Sequence, residues 1–158
     1  RWSFSSMSGL AVKVRFQPRD VSKIPKKMRK ELLAKRRLAL LKTAQVGVSI
    51  IEDRTEKGDG YKGKFEPYTK SYRIWKTKPV NQGGGGHTST MPNLSLTGFM
   101  LGAMITKANP KQAVIFFSNP KDAKKAAMND KTRPFFGFNR VEKKRLGKAF
   151  TRFIKNER

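Results

Sequence analysis

In the stretch LAVKVRF, Leu10, Val12, Val14 and Phe16 alternate with Lys13 and Arg15. Successive side chains of an extended chain point to opposite faces, so a period of two predicts a half-buried strand. Gln17-Pro18-Arg19-Asp20 ends it with turn chemistry. From about Ser22 the period lengthens. Ile24, Met28, Leu32, Leu33, Ala39, Leu40, Ala44, Gly47, Ile50 and Ile51 recur at three-to-four spacing. That pattern predicts one helix running to about Asp53, roughly 30 residues and ~45 Å long at about 1.5 Å per residue. Pro25 suits its first turn, where a missing N–H costs nothing. The β-branched run VGVSII is where the helix would end early.

Residues 54–92 break the periodicity. Gly, Pro, Lys and aromatic residues dominate, and Thr69 is placed to cap a short helix through Trp75. Gly83–Gly86 reads as a flexible hinge. A loop of this length in a compact domain is functional or disordered, and the interleaved Tyr61, Phe65, Tyr68, Tyr72 and Trp75 argue against disorder. The segment therefore reads as a protruding arm, with these aromatics and Pro67 ordering on a partner surface.

Further on, Leu94, Leu96, Phe99, Met100, Ala103 and Met104 would line one side of a short helix starting near Ser95 or Thr97. AVIFF, residues 113–117, is a short apolar run expected as a buried strand, paired with 105–108 across the turn Asn109-Pro110. Asn119-Pro120 opens a helix that Thr132-Arg133-Pro134 break. The closing helix runs from Asn139, its expected cap, to about Asn156, with Val141, Leu146, Ala149, Phe150, Phe153 and Ile154 as its apolar stripe. No internal repeat is visible. The element order predicts a single α+β domain over 1–158: a long N-terminal spine helix and a C-terminal helix on a small, mostly antiparallel sheet.

Composition narrows the chemistry. The chain has 158 residues and 37% hydrophobic content, enough for one domain with a modest core. There is no cysteine and a single histidine, His87, so disulfides, thiolate zinc sites and histidine-rich metal sites are excluded. A serine nucleophile would have to use His87, read as an exposed loop residue, or a lysine base. Glu52, Asp53, Glu56 and Asp59 read as helix-end and turn residues rather than a metal-dependent nuclease site, and GGGGH lacks the GK[ST] ending of a phosphate loop. No cofactor and no catalytic residue is expected. No apolar run reaches membrane-spanning length. The opening RWSFSSMSGL carries neither an initial Met nor the apolar core of a signal peptide, so the numbering is expected to begin inside a longer chain or after processing.

Charge changes the picture most. Against 36 Lys and Arg stand 11 Asp and Glu, a net +25. Self-repulsion on that scale opposes compaction, and a nucleic acid or an acidic protein neighbour would relieve it. The cations cluster on the outer face of the spine helix (Lys26, Lys27, Arg29, Lys30, Lys35, Arg36, Arg37, Lys42) and on the closing helix (Lys143, Lys144, Arg145). Both partners fit these faces. A solvated polar face is the ordinary reading of such a helix. The arm's aromatics suit base stacking or, better for residues in a loop, docking into a neighbouring subunit. In RPFFGF, Arg133, Pro134, Phe135, Phe136 and Gly137 form a rigid turn expected to send one Phe inward and the other to the core edge or a neighbour.

Three stretches, in order, resemble the virion-morphogenesis or tail-completion proteins of tailed bacteriophages. They are RTEKGDGYKGKFEPYTKSYRIWK, NLSLTGFMLGAMIT and AKKAAMNDKTRPFFGFNRVEKKRL. The likeness lies in Gly-Asp-Gly with an aromatic and Pro before a Tyr- and Lys-bearing helix, in Leu-Thr-Gly-x-Met-Leu before a strand, and in Arg-Pro-Phe with Gly before a final charged helix. With the first strand and long helix it covers nearly the whole chain. The chain departs from the family at Phe99, where Arg is frequent, and in a final helix more basic than usual. The resemblance implies a non-enzymatic structural protein of the virion, made in the host cytoplasm. It implies a homo-oligomeric ring, commonly a hexamer, at the neck or head-proximal tail end. Neck, connector, tail-tube or sheath proteins would adjoin it, genomic DNA would touch its channel non-specifically, and no membrane is involved. A free-standing basic nucleic-acid-binding protein is the alternative.

Overall fold

The structure, a computed structural model, describes residues 2–7, 11–16, 24–94 and 99–156. It is α+β. The long helix α1 (Lys26–Glu56) spans 31 residues. Pro25 is its N-cap, in extended geometry, and the Arg29 N–H donates to the Pro25 carbonyl at 2.9 Å. The β-branched run does not end it. Gly47, Ile50 and Ile51 are buried, and burial of a helix face outweighs a few tenths of a kcal/mol of local propensity. The helix stops at Gly58, whose φ of 77° is the left-handed conformation that a residue with a Cβ resists.

Four strands form the main sheet: β1 (Trp2–Met7), β2 (Ala11–Phe16), β5 (Met104–Ala108) and β6 (Gln112–Phe117), in the order β1-β2-β6-β5. Every pairing is antiparallel, with Val12 opposite Ile115 and Ile105 opposite Phe116. β1 has no counterpart among the expected elements. Leu10, Gln17–Asp20 and Ser22 lie outside the described residues. β3 (Asp59–Gly60) and β4 (Gly63–Lys64) form a separate two-stranded ribbon. Asp59-Gly60 is therefore strand rather than turn, and Tyr61-Lys62 make the turn.

The β5–β6 hairpin turns where expected. The Asn109 side-chain oxygen accepts from the N–H groups of Lys111 and Gln112 at 2.8 and 2.9 Å. β6 is not buried on both faces, as its apolar run suggested. Ala113, Ile115 and Phe117 face the helices, while Val114 and Phe116 stay half-exposed on the far side. Lys107 covers Phe116, its ammonium 5.4 Å from the ring centre.

α2 (Lys70–Thr77) follows Thr69, whose side chain accepts from the Tyr72 N–H as expected. The predicted helix near 94–104 shrinks to α3 (Phe99–Gly102), with Met104 already in β5 and Ser95, Leu96 and Thr97 outside the described residues. α4 (Pro120–Thr132) is capped by Asn119, which accepts from the Asp122 N–H at 2.8 Å. α5 (Arg140–Asn156) starts with a reciprocal box. Asn139 accepts from the Glu142 N–H at 2.9 Å, and Glu142 returns to the Asn139 N–H at 2.8 Å.

α1 packs against β5, β6 and α5 together. It needs a wide buried arc to do so: Ala39, Leu40, Thr43, Ala44, Gly47, Ile50 and Ile51. The core continues through Leu101, Met104, Phe135, Phe136, Phe138, Leu146 and Phe150. Gly47 marks the tightest crossing. A Cβ placed there would lie 2.9 Å from the Phe138 ring and 3.1 Å from the Ile115 terminal methyl.

Gly47→Leu should therefore overpack this crossing despite leucine's better helix propensity. The expected loss is about 2 kcal/mol, or roughly 4–8 °C in Tm, read by thermal denaturation followed by circular dichroism. An unchanged or raised Tm would show that the helix does not approach Phe138 this closely.

Candidate functional site

RPFFGF is held from three sides. Arg54, in the last turn of α1, sends Nη1 to both carboxylate oxygens of Glu142 at 2.7 and 2.6 Å. Its Nη2 donates to the carbonyls of Phe135 at 2.5 Å and Gly137 at 3.1 Å. The pair is largely buried, with side-chain exposures of 10% and 14%. From α4, the Asp130 carboxylate accepts from the N–H groups of Phe135 and Phe136 at 2.9 and 2.8 Å. From the β3–β4 ribbon, the Tyr61 N–H donates to the Pro134 carbonyl at 3.0 Å. Two glycines permit that approach. A Cβ on Gly60 would sit 2.2 Å from the Pro134 carbonyl oxygen, and one on Gly137 would meet the Tyr61 ring at 2.8 Å.

Both phenylalanines point inward, contrary to the expectation of one in and one out. Phe135 is fully buried and Phe136 is 5% exposed, stacking near Phe117 with ring centres 5.1 Å apart. Asp130 ties down both of their N–H groups, which leaves neither free to turn outward. Arg133 remains half-exposed, its guanidinium 4.7 Å from the Tyr68 ring centre and Nη2 on the Glu66 carbonyl at 3.3 Å.

The segment 54–92 is less of an arm than its composition suggested. Its root is built into the body: Phe65 is 6% exposed and belongs to the core, and its N–H donates to the Gly58 carbonyl at 2.9 Å. Tyr61 and Tyr68 are half-buried against the clamp. Gly83–Gly86 is no open hinge. Gly85, Gly86 and His87 donate their N–H groups back to the carbonyls of Trp75, Lys78 and Lys76, each at 2.8 Å. The glycines are required because a Cβ on Gly84 would fall 2.1 Å from the Lys78 carbonyl oxygen. His87 is half-buried, its Nδ1 accepting from the Ser89 N–H at 3.0 Å, rather than an exposed loop residue.

Lys76 locks this lobe. It is fully buried, donating to the Met91 carbonyl and the Asn93 side-chain oxygen, both at 2.9 Å, with Nζ 5.0 Å from the Tyr68 ring centre. Burial lowers its pKa from the ordinary lysine value. Tyr68 accepts from the Leu94 N–H at 3.3 Å, and burial raises its pKa. Three large apolar side chains of the lobe stand exposed among exposed Lys70, Arg73 and Lys78: Ile74 at 60%, Trp75 at 40% and Val80 at 72%. Tyr72 lies half-buried beside Trp75, with ring centres 5.4 Å apart, while Pro67 is exposed.

The cations divide. Lys26, Lys27, Lys30, Lys35 and Arg37 are exposed along the N-terminal half of α1. Arg29 is half-buried, bonded to the Ile24 carbonyl at 3.2 Å, and Arg36 is buried, so the latter cannot serve as a surface contact. On α5, Lys143, Lys144 and Arg145 are exposed. Glu52 and Asp59 are half-buried, and burial followed by its neighbours Glu56 and Asp53 raises the Glu52 pKa. Among the described residues no three acidic or histidine side chains are placed to hold a metal ion, and no helix is long and apolar enough to cross a membrane.

Arg54 and Lys76 escaped sequence reasoning. Each is one cation among 36. The only trace of Arg54's role is its position one helix turn before Gly58, and Lys76, whose partners Tyr68, Met91 and Asn93 are scattered along the chain, leaves none.

Arg54→Ala should cost about 3 kcal/mol in urea denaturation, because it strands a largely buried Glu142 and two carbonyls. Arg54→Lys should recover less than half, since an ammonium cannot fork between a carboxylate and two carbonyls. Recovery by Lys equal to Arg would remove the fork. For Lys76 the folded pKa is the lower one, so the unfolded chain holds the extra proton between that value and the unperturbed ~10.4. Its contribution to stability must then rise with pH through that window. The stability of wild type minus that of Lys76→Met should therefore become more positive from pH 7 to pH 10.5; a signed difference that falls with pH would refute the buried placement.

Compared with protein-family models, with curated proteins and with solved structures, the chain shows no significant match in any of the three.

Proposed function

We propose that this protein is a non-enzymatic structural subunit of a tailed-bacteriophage particle. In this reading it assembles as a homo-oligomeric ring, commonly a hexamer, at the neck or head-proximal end of the tail, around the channel that DNA traverses. One observation carries the proposal. The three stretches on which the resemblance rests are far apart in sequence but meet in one place. Arg54 of the first bonds to Glu142 and the Phe135 carbonyl of the third, the Tyr61 N–H to the Pro134 carbonyl, and Tyr68 lies under the Arg133 guanidinium, while Asp130 accepts from the Phe135 N–H within the third. The second joins through Asn93 on Lys76 and Leu94 on Tyr68, and Met100 sulfur lies 3.8 Å from the Asn129 amide nitrogen. A motif set that acts together is expected to form one physical unit, and this clustering supports the reading.

The contact that would build the ring is the outer side of the α2 lobe. Ile74, Trp75 and Val80 are large, apolar and uncovered, and Trp is a favoured anchor at protein interfaces. This differs from a reaching arm: a folded knob presents the surface. Neighbouring neck, connector, tail-tube or sheath proteins would take up part of the charge. The second reading, a free-standing nucleic-acid-binding protein, draws its support from the exposed cations of α1 and α5.

Native mass spectrometry and negative-stain microscopy of the full chain should show closed rings. Trp75→Ala with Val80→Asp should return them to monomers, while the circular dichroism spectrum stays that of the folded chain. A wild-type protein monomeric at every concentration, and missing from purified particles of the phage that encodes it, would end this reading.

A further inference from the structure

α5 carries a second surface unlike the α2 knob. Arg140, Lys144, Lys148, Arg152 and Lys155 recur at three-to-four spacing and all are exposed. On a helix this places them in one row along the side away from Leu146 and Phe150, which are buried. The row spans ~22 Å at about 1.5 Å per residue. Along it runs an open trough of about 870 Å³, lined among the described residues by α5 alone, with Lys143 beside the row, Gly147 and Thr151 between the cations, Asn156 at its end and no carboxylate. The one acid of α5's first turn, Glu142, faces the other way and is bound to Arg54.

We propose that this face of α5 is a sequence-independent docking surface for the phosphate backbone of duplex DNA. It rests on the ring reading only for where DNA is met, and the binding itself needs no ring. Three features favour phosphate over an acidic protein. First, protein interfaces bury aromatic or aliphatic anchors at their centre and are depleted in lysine there, whereas this trough is lined by lysine and arginine with no aromatic or large aliphatic side chain. Second, a cation recurs at nearly every turn, in a row that winds slowly around the helix. A duplex carries one charge per ~1.7 Å of axis, so a rod of about a dozen phosphates runs beside it. Third, Gly147 leaves the helix surface bare where a side chain would hold the backbone off, and the Thr151 hydroxyl is of the type that contacts phosphate oxygens. The exposed cations of α1 lack this form. Lys26, Lys27, Lys30, Lys35 and Arg37 share their helix with exposed Met28 and Leu38 and with the exposed acid Glu31, whereas the exposed apolar side chain of α5 is Val141 and its trough holds no carboxylate.

The test is fluorescence anisotropy with a random-sequence duplex and the full chain, titrated with NaCl. Replacing the five α5 cations together (R140Q, K144Q, K148Q, R152Q, K155Q) should flatten the slope of log K against log salt by about four, since each phosphate contact contributes ~0.9. The matched α1 set (K26Q, K27Q, K30Q, K35Q, R37Q) removes five charges too, and should change the slope by less than half as much. Gly147→Gln, which alters no charge, should weaken binding several-fold at fixed salt. Equal losses from the two sets, binding to poly-glutamate as tight as to the duplex, or full affinity in Gly147→Gln would each overturn the assignment. A monomer showing the expected slopes would sink the ring and keep this surface; rings whose DNA binding ignores α5 would do the reverse.

Discussion

The bond network around Arg54 is the constraint on which the rest of the fold depends. One guanidinium joins the end of α1, the RPFFGF turn and the first turn of α5. It adds direction to the apolar packing of Leu146 and Phe150, which also draws the closing helix back along the spine. Arginine suits the place because its planar fork satisfies a carboxylate on one edge and two carbonyls on the other, and it never deprotonates. The same network fixes Tyr61 through the Pro134 carbonyl and thereby sets where the ribbon, and the lobe beyond it, leave the body. Charge pairing of this kind is worth most when water is excluded, and the surrounding phenylalanines do that.

Much of this architecture is legible from residue order. Period-two and period-four patterns located β2, α1, the β5–β6 hairpin and α5, and the caps at Asn119, Asn139 and Thr69 fell on the residues whose side chains accept backbone N–H groups. The α+β class followed from that order. Failures came where tertiary packing overrode local composition. Residues 54–68 look polar and glycine-rich, yet Phe65 reaches the core and Gly60 is needed for contact with a carbonyl 74 positions later in the chain. No local window contains that information. Arg36 and Lys76 were indistinguishable from their exposed neighbours, because one letter does not say whether a cation meets water or a carbonyl.

A net charge of +25 on 158 residues would be costly in a protein with one undivided surface. Here the charge is sorted. The α2 knob offers Ile74, Trp75 and Val80, the α5 face offers mainly long cations around a bare glycine, and the far side of the sheet shields Phe116 with Lys107. Interfaces of different chemistry can then be engaged at once without competing for the same residues.

The tetraglycine return has a thermodynamic consequence. A tail that ordered on contact would surrender backbone and side-chain freedom at that moment and would weaken every contact it made. Because Gly85, Gly86 and His87 already bond back onto α2 and Lys76 is already sealed, the knob arrives preformed. Association through it should therefore show a heat-capacity change set by the apolar area of the interface alone, with no added contribution from coupled folding.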